Sequence, residues 1–217
     1  MKFKEVTIFG GTGLIGKYLL QILIDDPEID SIDFVTRRPV KINNEKVKVR
    51  IINFSNKQSI FNSIKNGCTV FSSIGTTQAR VKGDNEKYRE IDFDITYNIA
   101  MACKEKNVDH FSFVSSSGAD FKSNNFYLKL KGEIENSIMK LKLKSLSIIR
   151  PSLLLGKRNE KRYGEQIAQF VMPFFSFLMP PNYKPISAYK VAKAMVNISK
   201  NKKSGTNIYH YNEIKDN

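Results

Sequence analysis

Short runs of β-branched and aromatic residues alternate along the chain with longer segments whose apolar positions recur every three or four residues. The short runs predict strands at Glu5–Phe9, Ile32–Thr36, Val47–Ile52, Thr69–Ile74, Phe111–Ser115 and Leu146–Ile149. The longer segments predict helices at Leu14–Ile24, Lys57–Lys65, Lys87–Lys106, Tyr127–Lys140, Gly164–Leu178 and Tyr189–Ser199, and a last short strand falls at Asn207–Tyr211. The helix from Lys87 is the longest, with Ile91, Ile95, Ile99 and Ala102 at helical spacing. Strands that alternate with helices predict an α/β fold, a doubly wound parallel sheet. Arg150-Pro151 ends the sixth strand, and the sequence beyond it is less regular. One domain is therefore expected, with a core over residues 1–150 and a small C-terminal cap over 151–217. The most apolar stretch, Phe170–Met179, is interrupted by Pro173. A helix over the sheet edge, a pocket wall, a dimer contact and a membrane-lying segment all remain open for it.

Composition narrows the class. A chain of 217 residues, 41% hydrophobic and 26% charged, suits a folded domain and excludes a disordered one. No apolar run approaches the roughly 18 residues of a spanning helix, so no transmembrane segment is expected. The start, Met1–Val6, carries no apolar core of a signal peptide. Two cysteines, Cys68 and Cys103, are too few for a disulfide framework and too far apart for a metal motif, and a reduced, cytoplasmic location is expected. The formal charge of +14 is spread without a block of like sign and has no nucleic-acid motif beside it, so no nucleic-acid partner is expected. His110 and His210 lack a Cys, His or Asp partner at ligand spacing and read as structural, with no metal. Lys157-Arg158 and Lys161-Arg162 read as a solvated part of the cap.

The first strand runs straight into Gly10-Gly11-Thr12-Gly13-Leu14-Ile15-Gly16, and a helix follows. That context gives each glycine a task. Gly10 turns the chain out of the strand, Gly13 lets backbone approach a pyrophosphate, and Gly16 lets the helix pack on the strand. The free N–H groups and positive dipole end of the helix then face the phosphates. A dinucleotide is expected against Gly10, Thr12, Gly13, Leu14, Ile15 and Gly16. A carboxylate at the tip of the second strand would hold the ribose of NAD(H), but Asp33 falls in mid-strand. The tip carries Arg37-Arg38, which suit a 2′-phosphate, so NADP(H) is preferred to NAD(H). Asn53 and Phe54, at the tip of the third strand, are placed beside the adenine. Gly75-Thr76-Thr77, after the fourth, is placed beside the phosphates and ribose.

The fifth strand ends in Ser115-Ser116-Ser117-Gly118, and Tyr127 and Lys131 lie four apart on the helix that follows. An ammonium near a phenol favours phenolate and makes Tyr127 a usable acid or base for a carbonyl/alcohol interconversion. A serine from the strand tip can orient the substrate oxygen; Ser116 is the choice, with Ser115 and Ser117 not excluded. Lys131 can also hold the nicotinamide ribose.

Taken in order, Gly10–Gly16, Ser115–Gly118, Tyr127 to Lys131 and Arg150-Pro151-Ser152 resemble the short-chain dehydrogenase/reductases. The chain looks like their atypical branch. Through Gly75-Thr76-Thr77, Ser116–Asp120 and Tyr127–Glu133 it is similar to the Tat-interacting-protein oxidoreductase-like group. The resemblance implies a Rossmann fold, NADP(H) binding, a Ser116-Tyr127-Lys131 set and Pro151 packed against the nicotinamide. It implies an oxidoreductase acting on a small carbonyl or alcohol. A homodimer is compatible with the sequence, although no motif points to one. The alternative is a non-catalytic NADP(H)-binding redox sensor that acts through a protein partner.

Overall fold

The computed structural model describes residues 4–155 and 184–217. Among these, the strands are β1 (Glu5–Phe9), β2 (Ser31–Thr36), β3 (Val47–Ile51), β4 (Thr69–Ser72), β5 (His110–Val114), β6 (Ser145–Ile149), β7 (Leu154–Leu155), β8 (Ile186–Ser187) and β9 (Gly205–Tyr209). The helices are α1 (Leu14–Asp25), α2 (Lys57–Asn62), α3 (Gln78–Val81), α4 (Asn85–Arg89), α5 (Ile95–Glu105), α6 (Phe126–Met139), α7 (Ala188–Lys200) and α8 (Tyr211–Asp216). The main sheet is seven-stranded in the order β3-β2-β1-β4-β5-β6-β9, and every pairing is parallel. This is the doubly wound sheet that the alternation predicts.

The strands are apolar on both sides because helices cover both sides. Val6 and Ile8 of β1 pack with Leu19 and Leu23 of α1 and with Val191 and Met195 of α7. Phe9 of the same strand faces the other core, with Ile60 of α2, Ile99 of α5 and Ile134 of α6. From β1 the chain winds outward to β2 and β3, then crosses back to β4 on the other side. Connections leave the carboxyl ends of β1 and β4 in opposite directions, which opens a crevice there.

Three expectations change. The helix from Lys87 is interrupted: α4 passes through a π-helical turn, Glu90–Asp94, into α5. The apolar spacing of Ile91, Ile95 and Ile99 runs across the turn and conceals it. The last strand begins earlier, at Gly205, and α8 starts at Tyr211, where the Glu213 carboxylate accepts the His210 N–H at 2.8 Å. The described residues beyond Pro151 also join the core: β9 extends the main sheet beside β6, and α7 packs on α1. The predicted helix Gly164–Leu178, the stretch Phe170–Met179 and the basic pairs at 157–158 and 161–162 lie outside the described residues. Among the described residues no helix is long and apolar enough to cross a membrane.

Candidate active site

The glycine loop forms one wall of the crevice. Gly10 has φ +78°, and a Cβ there would meet the Ser73 carbonyl carbon at 2.6 Å. The Gly13 N–H donates to the Gly10 carbonyl at 2.9 Å, closing the turn before α1. A Cβ on Gly13 would stand 3.2 Å from that carbonyl oxygen, and one on Gly16 only 2.2 Å from it. Gly11 is constrained as well, since a Cβ would strike the Phe34 ring at 2.1 Å. No side chain caps α1, so its first N–H groups are left to a ligand. A loop with no room for a Cβ at Gly10, Gly11 or Gly16, beneath a helix start without a side-chain cap, fits a pyrophosphate.

Two lobes of a groove meet over this loop. The outer lobe, about 340 Å³, is lined by Gly10–Gly13, Thr36, Arg37, Arg38, Phe54 and Gly75, with Arg80 and Lys87 across from them. The inner lobe, about 560 Å³, is lined by Thr12–Ile15, Tyr18, Gly75–Thr77, Asp92, Ser115, Tyr127 and Lys131. Thus the groove runs from the two arginines, past the glycines, to the tyrosine and lysine.

The two polar residues at the outer end have different partners. Asp33 is buried, with Arg50 Nε at 2.6 Å and Lys65 Nζ at 3.8 Å from its carboxylate, so it is committed inside the sheet. Asn53 closes its own loop, its side-chain oxygen accepting the Ser55 N–H at 2.9 Å, while the neighbouring Phe54 ring lines the lobe.

At the inner end Tyr127 is exposed to the groove and Lys131 is almost wholly buried. The Lys131 ammonium lies 5.8 Å from the centre of the Tyr127 ring. Its ion-pair partner is Asp92, at 2.7 Å. Burial disfavours the charged lysine, but the Asp92 carboxylate, with Tyr127 and Glu135 nearby, more than offsets it and holds the pKa above its ordinary value.

Of the three serines, Ser115 lines the inner lobe. Its hydroxyl donates to Glu135 Oε1 at 2.5 Å, and Arg150 Nε donates to the same oxygen at 2.9 Å. Ser116 turns its hydroxyl to the Ser117 carbonyl, 3.2 Å away. The Ser117 N–H donates to the Pro151 carbonyl at 2.9 Å, so Pro151 fastens the serine loop from behind.

Sequence reasoning missed Asp92 and Glu135. Glu135 carries a signal, since Tyr127, Lys131 and Glu135 follow one another at four-residue steps and share a face of α6. Asp92 carries a weaker one: Ile91-Asp92-Phe93-Asp94 alternates like a strand inside a helical segment. His110 is buried, with Nδ1 2.7 Å from the Ser145 hydroxyl and away from the groove. Cys68 and Cys103 are free and buried, and burial pushes the Cys68 thiol up to about 11.

A family model described as NAD(P)H-binding matches residues 10–202. Protein FMP52, mitochondrial, from Debaryomyces hansenii is 34% identical over 203 residues, spanning 88% of this chain and 86% of the relative. HTATIP2 from Rattus norvegicus is 30% identical over 203 residues, spanning 91% and 81%. Among solved structures, MoeE5 in complex with UDP-glucuronic acid and NAD superposes with a TM-score of 0.74 at 15% identity, over 97% of this chain and 79% of that one. The UDP-N-acetylglucosamine 4-epimerase from Bacillus cereus gives 0.69 at 20% identity, over 98% and 83%. At such identities the structures share the fold. The expected cytoplasmic location is overturned, because FMP52 relatives from three yeasts are named as mitochondrial. Two reduced cysteines never distinguished one reducing compartment from another.

Proposed function

The chain belongs to the NAD(P)H-binding family, as an atypical short-chain dehydrogenase/reductase related to FMP52 and HTATIP2, and on that premise we propose that it interconverts a small carbonyl and its alcohol with NADP(H). The observation that carries this reading is one groove holding the glycine loop at its middle and Tyr127 with Lys131 at its inner end. The coenzyme supplies or accepts the hydride. Gly10, Thr12, Gly13, Leu14, Ile15 and Gly16 hold its phosphates, and Gly75, Thr76 and Thr77 face them from the carboxyl end of the neighbouring strand, β4. Arg37 and Arg38 favour NADP(H) over NAD(H), since the one acid of β2, Asp33, is spent on Arg50.

In the reducing direction Tyr127 gives its phenolic proton to the substrate oxygen and is left as phenolate, which regains a proton from water in the groove. Lys131 supplies the positive charge beside that phenolate and holds the nicotinamide ribose. Ser115 takes the orienting role first given to Ser116, because Ser115 lines the same lobe as Tyr127, with its hydroxyl hydrogen-bonded to Glu135. Phe54 takes the adenine contact in place of Asn53. The mitochondrial naming of the FMP52 relatives makes a mitochondrial location the one to test, by imaging the tagged chain.

Thermal unfolding with NADPH, with NADH and with neither tests the cofactor. NADPH at about a hundredfold over its Kd stabilises by roughly 2.7 kcal/mol, and an equal or larger shift with NADH would remove the role of the arginines. Tyr127→Phe should keep the NADPH shift and lose turnover across a panel of aldehydes and ketones. Turnover unchanged by that substitution would remove Tyr127 from the chemistry. Tight NADPH binding by the unaltered chain, with no turnover of any of them, would favour the sensor.

A further inference from the structure

The chemistry proposed so far makes no use of Asp92, a carboxylate that is 2% exposed and borders the inner lobe. Its two oxygens are divided between two walls of the groove. Oδ1 accepts the Thr76 N–H at 2.6 Å, and Thr76 belongs to the loop after β4. Oδ2 takes the Lys131 ammonium at 2.7 Å, and Lys131 belongs to α6. The side chain reaches both from the π-helical turn, a distortion that proteins concentrate at functional sites.

Burial of this pair has a cost that packing alone does not require. Two desolvated charges are often no more stabilising than apolar side chains of the same volume, whereas either charge left alone is strongly destabilising. An ammonium on a long flexible stem, held by a carboxylate that is itself held by a backbone N–H, has both its position and its charge set.

We propose that Asp92 is a positioning residue for the cofactor. It holds Lys131 where the lysine meets the ribose and pins the Gly75–Thr77 loop with the same carboxylate, so that both walls are set by one group. The role rests on the reading of the groove as an NADP(H) site. Its prediction is that Asp92 acts on cofactor affinity through Lys131.

Asp92→Asn keeps an oxygen for the Thr76 N–H and removes the charge that holds Lys131. The test compares the unaltered full chain, Asp92→Asn, Lys131→Met and the double variant, reading the NADPH Kd by calorimetry. The ¹⁵N-labelled proteins also report the Lys131 ammonium, whose signal is assigned by its loss in Lys131→Met. The unaltered chain should show a slowly exchanging ammonium signal, and Asp92→Asn should lose it. Each single variant should weaken NADPH by about tenfold, and the double variant should be no weaker than Lys131→Met. If Asp92→Asn weakens NADPH by the same factor in both backgrounds, or leaves the affinity within about twofold, the role is overturned. A Lys131→Met protein that binds NADPH normally also overturns it. Should Asp92→Asn fail to fold, Asp92→Glu keeps the charge one methylene out of place. It should retain the ammonium signal and lose affinity, and full affinity there overturns the role. Absence of NADPH binding by the unaltered chain overturns the cofactor reading itself, a separate outcome.

Discussion

A methyl group added at Gly13 and one added at Gly16 break different things. At Gly13 it approaches the Gly10 carbonyl oxygen to 3.2 Å, which a shift of a few tenths of an ångström relieves, and it crowds the loop proposed to hold the phosphates. At Gly16 it meets that oxygen at 2.2 Å and the Gly11 Cα at 2.6 Å, both rigid backbone. Gly13→Ala is expected to keep the Tm within about 2 °C and to weaken NADPH by about tenfold or more. Gly16→Ala is expected to destabilise by about 1–3 kcal/mol in urea unfolding, and equal destabilisation by the two would contradict this division of labour. His110 makes a pH prediction. Burial, then the charge of Lys202, push its pKa down from 6.5 to about 3. The unfolded chain takes up a proton near pH 6.5 that the folded chain refuses. Stability is therefore unaffected by His110 above that pH and falls as pH drops towards 3, by at most about 1.4 kcal/mol per pH unit. In His110→Asn the slope of unfolding free energy between about pH 6.5 and 4.5 should flatten by that amount; an unchanged slope would take His110 out of the acid response.

Between elements, the contact of α1 with α7 closes one face of the sheet. Met195 of α7 is fully buried there, and Met195→Ala is expected to cost about 2–5 kcal/mol while leaving NADPH affinity within about twofold, measured by denaturation and calorimetry together. The elements that bear the groove were legible because their signals are local. A strand buried on both faces reads as an unbroken apolar run, and Gly10, Gly13 and Gly16 mark the turn and the helix start within seven positions of sequence. What escaped depends on distant partners or on the pleat. Asp92 earns its place only through Thr76 and Lys131, which fold brings to it. Asn53 has the right chemistry for an adenine but satisfies its own loop. Ser115 and Ser116 have the same side chain, and which one borders the groove follows from where β5 ends, since one step along a strand exchanges faces. The division between Ser115 and Ser116 is tested by alanine at each. Ser115→Ala should lower turnover of an identified carbonyl substrate by about a hundredfold, Ser116→Ala by less than about threefold, and the reverse order would restore Ser116.

At the scale of the molecule, the described residues that line both lobes of the groove come from the first 155 positions, yet the core beneath them is completed by the rest of the chain. α7 supplies Val191, Ala192, Ala194, Met195, Val196 and Ile198 to the core that contains Leu19 and Leu23 of α1. β9 pairs with β6 from Ser145–Gly205 to Ile149–Tyr209. Without them the underside of α1 faces water, and each fully buried aliphatic side chain uncovered forfeits roughly 1.5–3 kcal/mol, against a total stability of about 5–15 kcal/mol for a native protein. The glycine loop is held between β1 and the start of α1, so its geometry depends on that same core. A chain ended at Leu155 is therefore expected to show no cooperative unfolding transition by circular dichroism and no NADPH binding by calorimetry, although it carries every residue assigned here to the coenzyme and to the chemistry. A fragment that unfolded cooperatively and bound NADPH would show that the groove is self-supporting, and that β9 and α7 only cover it.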